Sequence, residues 1–203
     1  LIPLKAILMA ADYYIKNENL IILEEEQKIK LAIDRLGLNS ITRFEPKKKI
    51  IEYMIEDKSS ERLVNLTVKE FINEIAARTS SPGGGSASAA IAAIGAGLGT
   101  MVGQLTYGIR KFENVDKEIR AVLPKLYDTT QALIPMIDRD TQAFDEYMKA
   151  MHLPKDTPEE EQIRNRKMQE GIIKAIEVPL TTMKLANSIW NEMQAIAKFG
   201  NIA

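Results

Sequence analysis

Apolar positions recur at helical spacing along most of the chain. Leu4, Ile7, Leu8, Ala11 and Ile15 share one face that ends near Asn17–Asn19. Glu24 to Leu36 repeats the pattern with Ile29, Ala32, Ile33 and Leu36 inward, and Gly37 supplies the stop. Between them, Ile21-Ile22-Leu23 reads either as a short strand or as a connection. Pro46 suits the first position of a helix over Lys47–Met54. Residues 57–62 are polar and aperiodic, which divides the chain into 1–56, a linker, and 63–203.

The second part opens on a capping box, with Thr67 as N-cap and Glu70 at N3. Leu66 and Phe71 suit the hydrophobic staple that accompanies such a start, and Val68, Phe71, Ile72, Ile75 and Ala76 share a face. Val115 to Met151 carries a long helical pattern that Pro124 and Pro135 should kink or break. Its inward positions are Ile119, Val122, Leu126, Leu133, Ile137, Phe144, Tyr147 and Met151. Thr157 as N-cap, Pro158 at N1 and Glu160 at N3 start the last long helix. Ile172, Ile176, Leu180, Met183, Ile189, Trp190, Met193 and Ile196 should face inward, through a break near Pro179, until Gly200-Asn201 stops the run. No stretch beyond Thr67 alternates with period two. The predicted fold is therefore mainly α, an antiparallel helical bundle preceded by a small, mostly helical segment.

Ser80 to Gly108 is the most unusual stretch. Eight of the 11 glycines lie between Gly83 and Gly108, and no charge occurs after Ser80 until Arg110. Ile91, Ile94, Leu98, Met101, Val102 and Leu105 form an apolar stripe, and Gly95, Gly99 and Gly103 form a second stripe of small residues. Each glycine costs a helix roughly 1 kcal/mol relative to alanine, so close packing against other helices must offset it. At its entrance stands Ser81-Pro82-Gly83-Gly84-Gly85-Ser86. Successive glycines at a helix N-terminus can gather N–H donors for a carboxylate or phosphate. The alternative is a plain turn with Ser86 as N-cap. The pattern is neither a Walker loop nor the spaced dinucleotide fingerprint. The stretch is long enough to cross a bilayer, but its Ala, Gly and Ser content favours a buried helix of a soluble protein.

Composition then narrows the chemistry. The chain has 27 basic and 28 acidic residues, which gives no indication of a nucleic-acid partner. It has no cysteine and one histidine, His152, so a His/Cys zinc site and thiol chemistry are both disfavoured. His152 reads as a loop residue, and a Ser–His–Asp triad built on it lacks a nucleophile elbow. No signal-peptide pattern is present, and a cytoplasmic, reducing setting is expected. Among the carboxylates, Asp138 and Asp145 fall opposite the apolar stripe of their helix and are expected to be solvated. Asp140 falls inside the stripe, between Ile137, Phe144 and Tyr147. An acid held there either caps a neighbouring helix or pairs with Arg or Lys, or else serves general acid–base chemistry, which burial of the charged form promotes.

Several motifs together carry a family resemblance. They are Ser81-Pro82-Gly83-Gly84-Gly85-Ser86, Met101-Val102-Gly103, Thr106-Tyr107-Gly108, Asp138-Arg139-Asp140-Thr141-Gln142-Ala143-Phe144, Leu153-Pro154-Lys155, Glu177-Val178-Pro179-Leu180 and Phe199-Gly200-Asn201. With Leu1-Ile2-Pro3-Leu4-Lys5-Ala6, Arg35-Leu36-Gly37-Leu38 and Pro46–Tyr53 they make the chain resemble the bifunctional formimidoyltransferase-cyclodeaminases. The resemblance implies the end of a transferase half in 1–56 and most of a cyclodeaminase half in 63–203. It also implies a homo-oligomer with dimeric cyclodeaminase units. The reaction it implies converts 5-formimidoyltetrahydrofolate to 5,10-methenyltetrahydrofolate and ammonia in histidine degradation. The folate, expected to be polyglutamylated, is the substrate, and no metal or redox cofactor is implied.

By the same resemblance Asp140 is the catalytic residue. Gly83, Gly84, Gly85, Ser86, Tyr107, Arg110 and Lys155 are the expected substrate contacts, with Lys111 a further partner for the glutamate tail. Transferase activity is not expected of a segment without that half's histidine. Two rival readings stand beside this one: a methenyltetrahydrofolate cyclohydrolase of similar fold, and a non-catalytic helical module whose glycine stripe only packs subunits.

Overall fold

Glu52 starts the first helix from a distance. In the computed structural model, which describes residues 1–40, 42–55 and 63–201, helix α1 spans Leu4–Asn17, α2 Glu25–Arg35, α3 Pro46–Lys49 and α4 Ile51–Ile55. Pro3 precedes α1 and supplies no side-chain cap, so the Glu52 carboxylate of α4 accepts the Leu4 N–H at 2.7 Å. Ile7, Ala11, Ile29, Ala32, Ile33 and Ile50 form the core of this unit, Leu1–Lys58. The helix expected over Lys47–Met54 is broken at Ile50, which is extended and fully buried and pairs with Ile2 in an isolated parallel bridge. Ile21-Ile22-Leu23 is a connection, and Leu36 points outward, 46% exposed, because Gly37 already turns the chain at φ +64°. The proposed linker 57–62 lies outside the described residues.

The second unit, Ser59–Ala203, holds α5 (Val68–Ala76), α6 (Gly84–Thr106), a 3₁₀ turn (Arg110–Val115), α7 (Asp116–Leu133), α8 (Met136–Met151), α9 (Pro158–Ser188) and α10 (Trp190–Phe199). No strand occurs among the described residues. Both capping boxes are present. Thr67 accepts the Glu70 N–H while the Glu70 carboxylate accepts the Thr67 N–H, and Thr157 and Glu160 repeat this at α9. Pro135 separates α7 from α8, as a proline at a break should. Pro124 and Pro179, in contrast, lie inside unbroken helices, and the break comes at Ile189, after α9 ends at Ser188. The flanking Leu123 and Leu126 are fully buried, so tertiary packing holds α7 together across Pro124.

The glycine-rich helix α6 packs against α7, α8, α9 and α10. Its buried face consists of Ser86, Ala89, Ala93, Ala96, Gly99, Thr100, Gly103 and Thr106. The stripe of large side chains expected to be the core is on the outside: Ile91, Ile94, Leu98, Met101 and Leu105 are 48–71% exposed. A β-carbon at Gly99 would stand 2.5 Å from the Met193 sulfur, and one at Gly103 would stand 2.7 Å from Leu123 Cδ1, so these glycines admit neighbouring side chains to the helix axis. Gly95, the third of the set, faces open space. Helix α9 inverts in the same way: Gly171 and Thr182 are buried, whereas Ile176, Leu180, Met183 and Trp190 just beyond it are exposed. On α5, Val68 and Ile72 are likewise exposed. By length and composition α6 is the one described helix able to cross a membrane, and its packing makes it a core helix of the bundle.

At Gly171 two helices meet backbone to backbone: a β-carbon there would lie 2.9 Å from Tyr147 Cα. Alanine gains about 1 kcal/mol of helix propensity, but displacing backbone in a packed core costs about 1–3 kcal/mol. We expect Gly171→Ala to lower the urea midpoint of unfolding despite the better helix former. A midpoint at or above the parent's contradicts the crossing.

Candidate active site

The first turn of a helix presents N–H groups with no partner in the helix. In α6 these belong to Gly84, Gly85 and Ser86, with Gly83 as an N-cap that has no side chain to offer. Asp140, on the second turn of α8, meets this need from outside. Its Oδ2 accepts the Ser86 N–H at 2.9 Å, and the carboxylate lies directly over the Gly85 Cα, in the space a β-carbon would fill. The helix dipole favours an anion at this end. One N–H at the end of the glycine turn, that of Ser86, is thus taken by the protein's own carboxylate.

Ser86 is corrected on two counts. It is neither the N-cap nor available to a substrate, because it is fully buried inside the first turn. Its hydroxyl lies 2.8 Å from the Ile137 carbonyl, 3.3 Å from Asp140 Oδ2 and 3.1 Å from Thr141 Oγ1. Asp140 itself is half-buried and caps a neighbouring helix, the first of the roles open to it from sequence alone. Gly84 is exposed, and Gly83 and Gly85 are partly so.

Asp138 was expected in solvent and is 5% exposed. Its carboxylate accepts the Leu63 N–H at 2.7 Å on one oxygen and the Val64 N–H at 3.1 Å on the other. Sequence reasoning missed it because helical spacing locates neighbours along α8 only, and the turn it caps comes from 75 residues upstream. Asp145 is exposed as expected.

The remaining candidates lie elsewhere. Tyr107 follows the far end of α6, about 33 Å from the glycine turn at 1.5 Å per residue. There it packs under the Arg120 guanidinium, 4.5 Å from the ring centre. Gly108 turns the chain at φ +69° and donates its N–H to Asp116 at 3.0 Å, while Arg120 donates to the other Asp116 oxygen at 2.6 Å. Arg110 and Lys111 are exposed on the 3₁₀ turn, with Lys111 over Phe112. Lys155 is exposed in the loop after α8, with about 17 Å of helix between it and Asp140. His152 closes α8, its Nδ1 2.7 Å from the Met148 carbonyl, and is exposed.

An all-helical bundle whose glycine turn is closed by an in-chain carboxylate is the class this structure defines. The family profile described as Formiminotransferase-cyclodeaminase matches residues 67–203, and that of the Formiminotransferase domain matches residues 1–56. The chain belongs to the formimidoyltransferase-cyclodeaminase family. It is 45% identical to the formimidoyltransferase-cyclodeaminase of Gallus gallus and 48% identical to that of Dictyostelium discoideum. Each match covers 100% of this chain but only 38% and 37% of the respective relative. A methenyltetrahydrofolate cyclohydrolase of Methylorubrum extorquens is 36% identical, covering 68% of this chain and 66% of that protein. The crystal structure of a formiminotetrahydrofolate cyclodeaminase from Thermotoga maritima superposes with a TM-score of 0.58 at 25% identity, covering 69% of this chain and 66% of that one.

The Asp116 cluster gives a test of how the far end of α6 is held. The Arg120 hydrogen bond first, then the Gly108 N–H, keep the Asp116 carboxyl below its ordinary range. A carboxyl lowered by folding contributes stability above its unfolded value, about 3.9, and loses that contribution as pH falls through the folded value. Asp116→Asn should therefore be less stable than the parent at neutral pH, with the difference shrinking below about pH 4. Thermal melts at neutral and acidic pH check this, and a difference independent of pH contradicts the assignment.

Proposed function

We propose that this chain performs the cyclodeaminase reaction, converting 5-formimidoyltetrahydrofolate to 5,10-methenyltetrahydrofolate and ammonia, with Asp140 moving the protons. The observation that carries this reading is the Asp140 carboxylate, tied by one oxygen to the glycine turn. N10 of the folate attacks the carbon of the protonated formimidoyl group, whose C=N electron pair moves onto its own nitrogen, forming the new C–N bond and a tetrahedral centre. The N10 proton passes to the carboxylate and from it to the departing nitrogen. The C–N bond to that nitrogen then breaks and ammonia leaves. Because the nucleophile is tethered within the substrate, the protein's main task is to hold the two nitrogens and the carboxyl in a reactive geometry.

Gly83, Gly84 and Gly85 suit a carboxylate or pterin oxygen of the folate, since the Gly84 and Gly85 N–H groups begin the helix without partners inside it. Lys155, at the far end of α8, suits the glutamate tail, and a polyglutamylated tail would extend that way. Tyr107 and Arg110 are too distant to share a substrate with the glycine turn of the same chain, and Tyr107 is assigned to packing under Arg120. A cysteine-free chain suits a cytoplasmic enzyme. Division into a transferase segment, 1–56, and a cyclodeaminase domain, 63–203, accords with the two profile matches.

The cyclohydrolase reading draws support from the Methylorubrum extorquens relative, whose likeness spans 68% of this chain. The bifunctional relatives match all of it, the first segment included, which favours deamination. In the full-length enzyme, Asp140→Asn should lower the rate of ammonia release by about 10²–10⁴-fold while the circular dichroism of the helices is unchanged. A parental rate removes Asp140 from the chemistry. Water addition to the methenyl product without ammonia release from the formimidoyl substrate selects the cyclohydrolase.

We also propose a homo-oligomer built on the exposed row of α6. Five large apolar side chains on one helix face form the kind of contiguous patch that marks an interface. Leu98→Glu places a charge at its centre. The expected outcome is dissociation by at least one step of assembly in sedimentation velocity, and an unchanged sedimentation coefficient places the interface elsewhere.

A further inference from the structure

The two oxygens of Asp140 are not equivalent, and Ser86 makes them so. Oδ2 accepts a backbone N–H, which neither titrates nor turns away. It also lies 3.3 Å from the Ser86 hydroxyl. Oδ1 has no hydrogen bond among the described residues and lies over Gly85, which has no side chain of its own to cover it. We infer that Ser86 is the positioning residue of the site: its N–H keeps Oδ2 as a fixed acceptor, its hydroxyl turns with the charge of Asp140, and Oδ1 is left as the oxygen that takes and returns the proton. This rests on Asp140 as the proton carrier.

A serine hydroxyl has one proton and two acceptor sites. Around Ser86 Oγ stand two acceptors, the Ile137 carbonyl at 2.8 Å and Asp140 Oδ2 at 3.3 Å, and one group able to donate, the Thr141 hydroxyl at 3.1 Å. The single proton serves one acceptor at a time. When Asp140 is charged, a rotation about the Cβ–Oγ bond turns it toward Oδ2. When Asp140 carries the transferred proton on Oδ1, it returns to the Ile137 carbonyl. In both states Thr141 can fill the open lone pair. Ser86 is fully buried, so water does not compete for these positions. The carboxyl can thus change its charge twice in one turnover without leaving a buried polar group unmatched, a mismatch that costs roughly 1–3 kcal/mol per group.

Ser86→Ala keeps the backbone N–H and removes only the hydroxyl. In the full-length enzyme we expect kcat for ammonia release to fall about 10-fold or more, on the scale by which small misplacements slow catalysis, with KM within two-fold of the parent. Parental kcat in Ser86→Ala, in a protein where Asp140→Asn is inactive, overturns the positioning role and leaves Asp140 in place. A parental rate in Asp140→Asn removes the carboxyl itself. Should Ser86→Ala fail to fold, the nearly isosteric Thr141→Val decides. A lowered kcat at unchanged KM supports the network, and parental kinetics overturn it.

Discussion

The start of α6 carries N–H groups that the helix cannot satisfy, and the rest of the second unit is arranged around the carboxylate that satisfies one of them. A side chain at position 85 would occupy the space where Asp140 lies, so only glycine lets the acid reach the backbone. The contact fixes α8 to the N-terminal end of α6 through a charge-assisted hydrogen bond, among the stronger kinds a protein makes. It also brings a carboxyl to a turn whose Gly83, Gly84 and Gly85 carry no side chains to cover the backbone donors. Structure and proposed chemistry share a cause here: removing side chains from the turn both admits the acid and opens the turn to a ligand.

The same economy of side chains continues along α6. Four other helices pack on a face made of Ala, Gly, Ser and Thr, and the partners fill it instead: Leu123 reaches over Gly103, and Met193 over Gly99. The hydroxyls of Thr100 and Thr106 are accommodated by donating to carbonyls one turn back, at 3.0 and 2.7 Å. Thr106 also accepts the Asn201 N–H at 2.8 Å, which ties the end of α10 to the end of α6. Large aliphatic side chains are then left to the opposite face.

That arrangement accounts for what the sequence made legible and what it hid. The helix starts at Thr67 and Thr157 were readable because a capping box is written in four adjacent residues, whatever the surrounding fold. The left-handed stop at Gly37 and the break at Pro135 were local in the same sense. Which face of α6 or α9 turns inward is not local. Periodicity assigns large apolar residues to the core, but the buried positions went to small residues, Ser, Ala, Gly and Thr in α6 and Gly171 and Thr182 in α9, while Ile91, Leu98, Ile176 and Met183 faced out. Pro124 and Pro179 failed to break their helices for a related reason: packing along the whole helix outweighs one lost hydrogen bond. Asp140 drew notice as an acid in an apolar stripe, but its partner, a backbone N–H 54 residues away, left no mark in the sequence around it.

Asp138 and Asp140 show why position on a helix does not by itself assign a role. They are two residues apart on α8, about 200° around its axis, and both accept backbone N–H groups from distant segments. Asp138 uses both oxygens in this way, one for Leu63 and one for Val64, and is almost wholly enclosed. Both of its oxygens face fixed backbone donors, so its place in the fold is that of a cap. Asp140 gives only one oxygen to the backbone and is partly open. Its other oxygen meets no fixed donor among the described residues, and the Ser86 hydroxyl, which can turn, stands 3.3 Å from the first. Of the two carboxylates, only Asp140 keeps an oxygen free of backbone donors among the described residues.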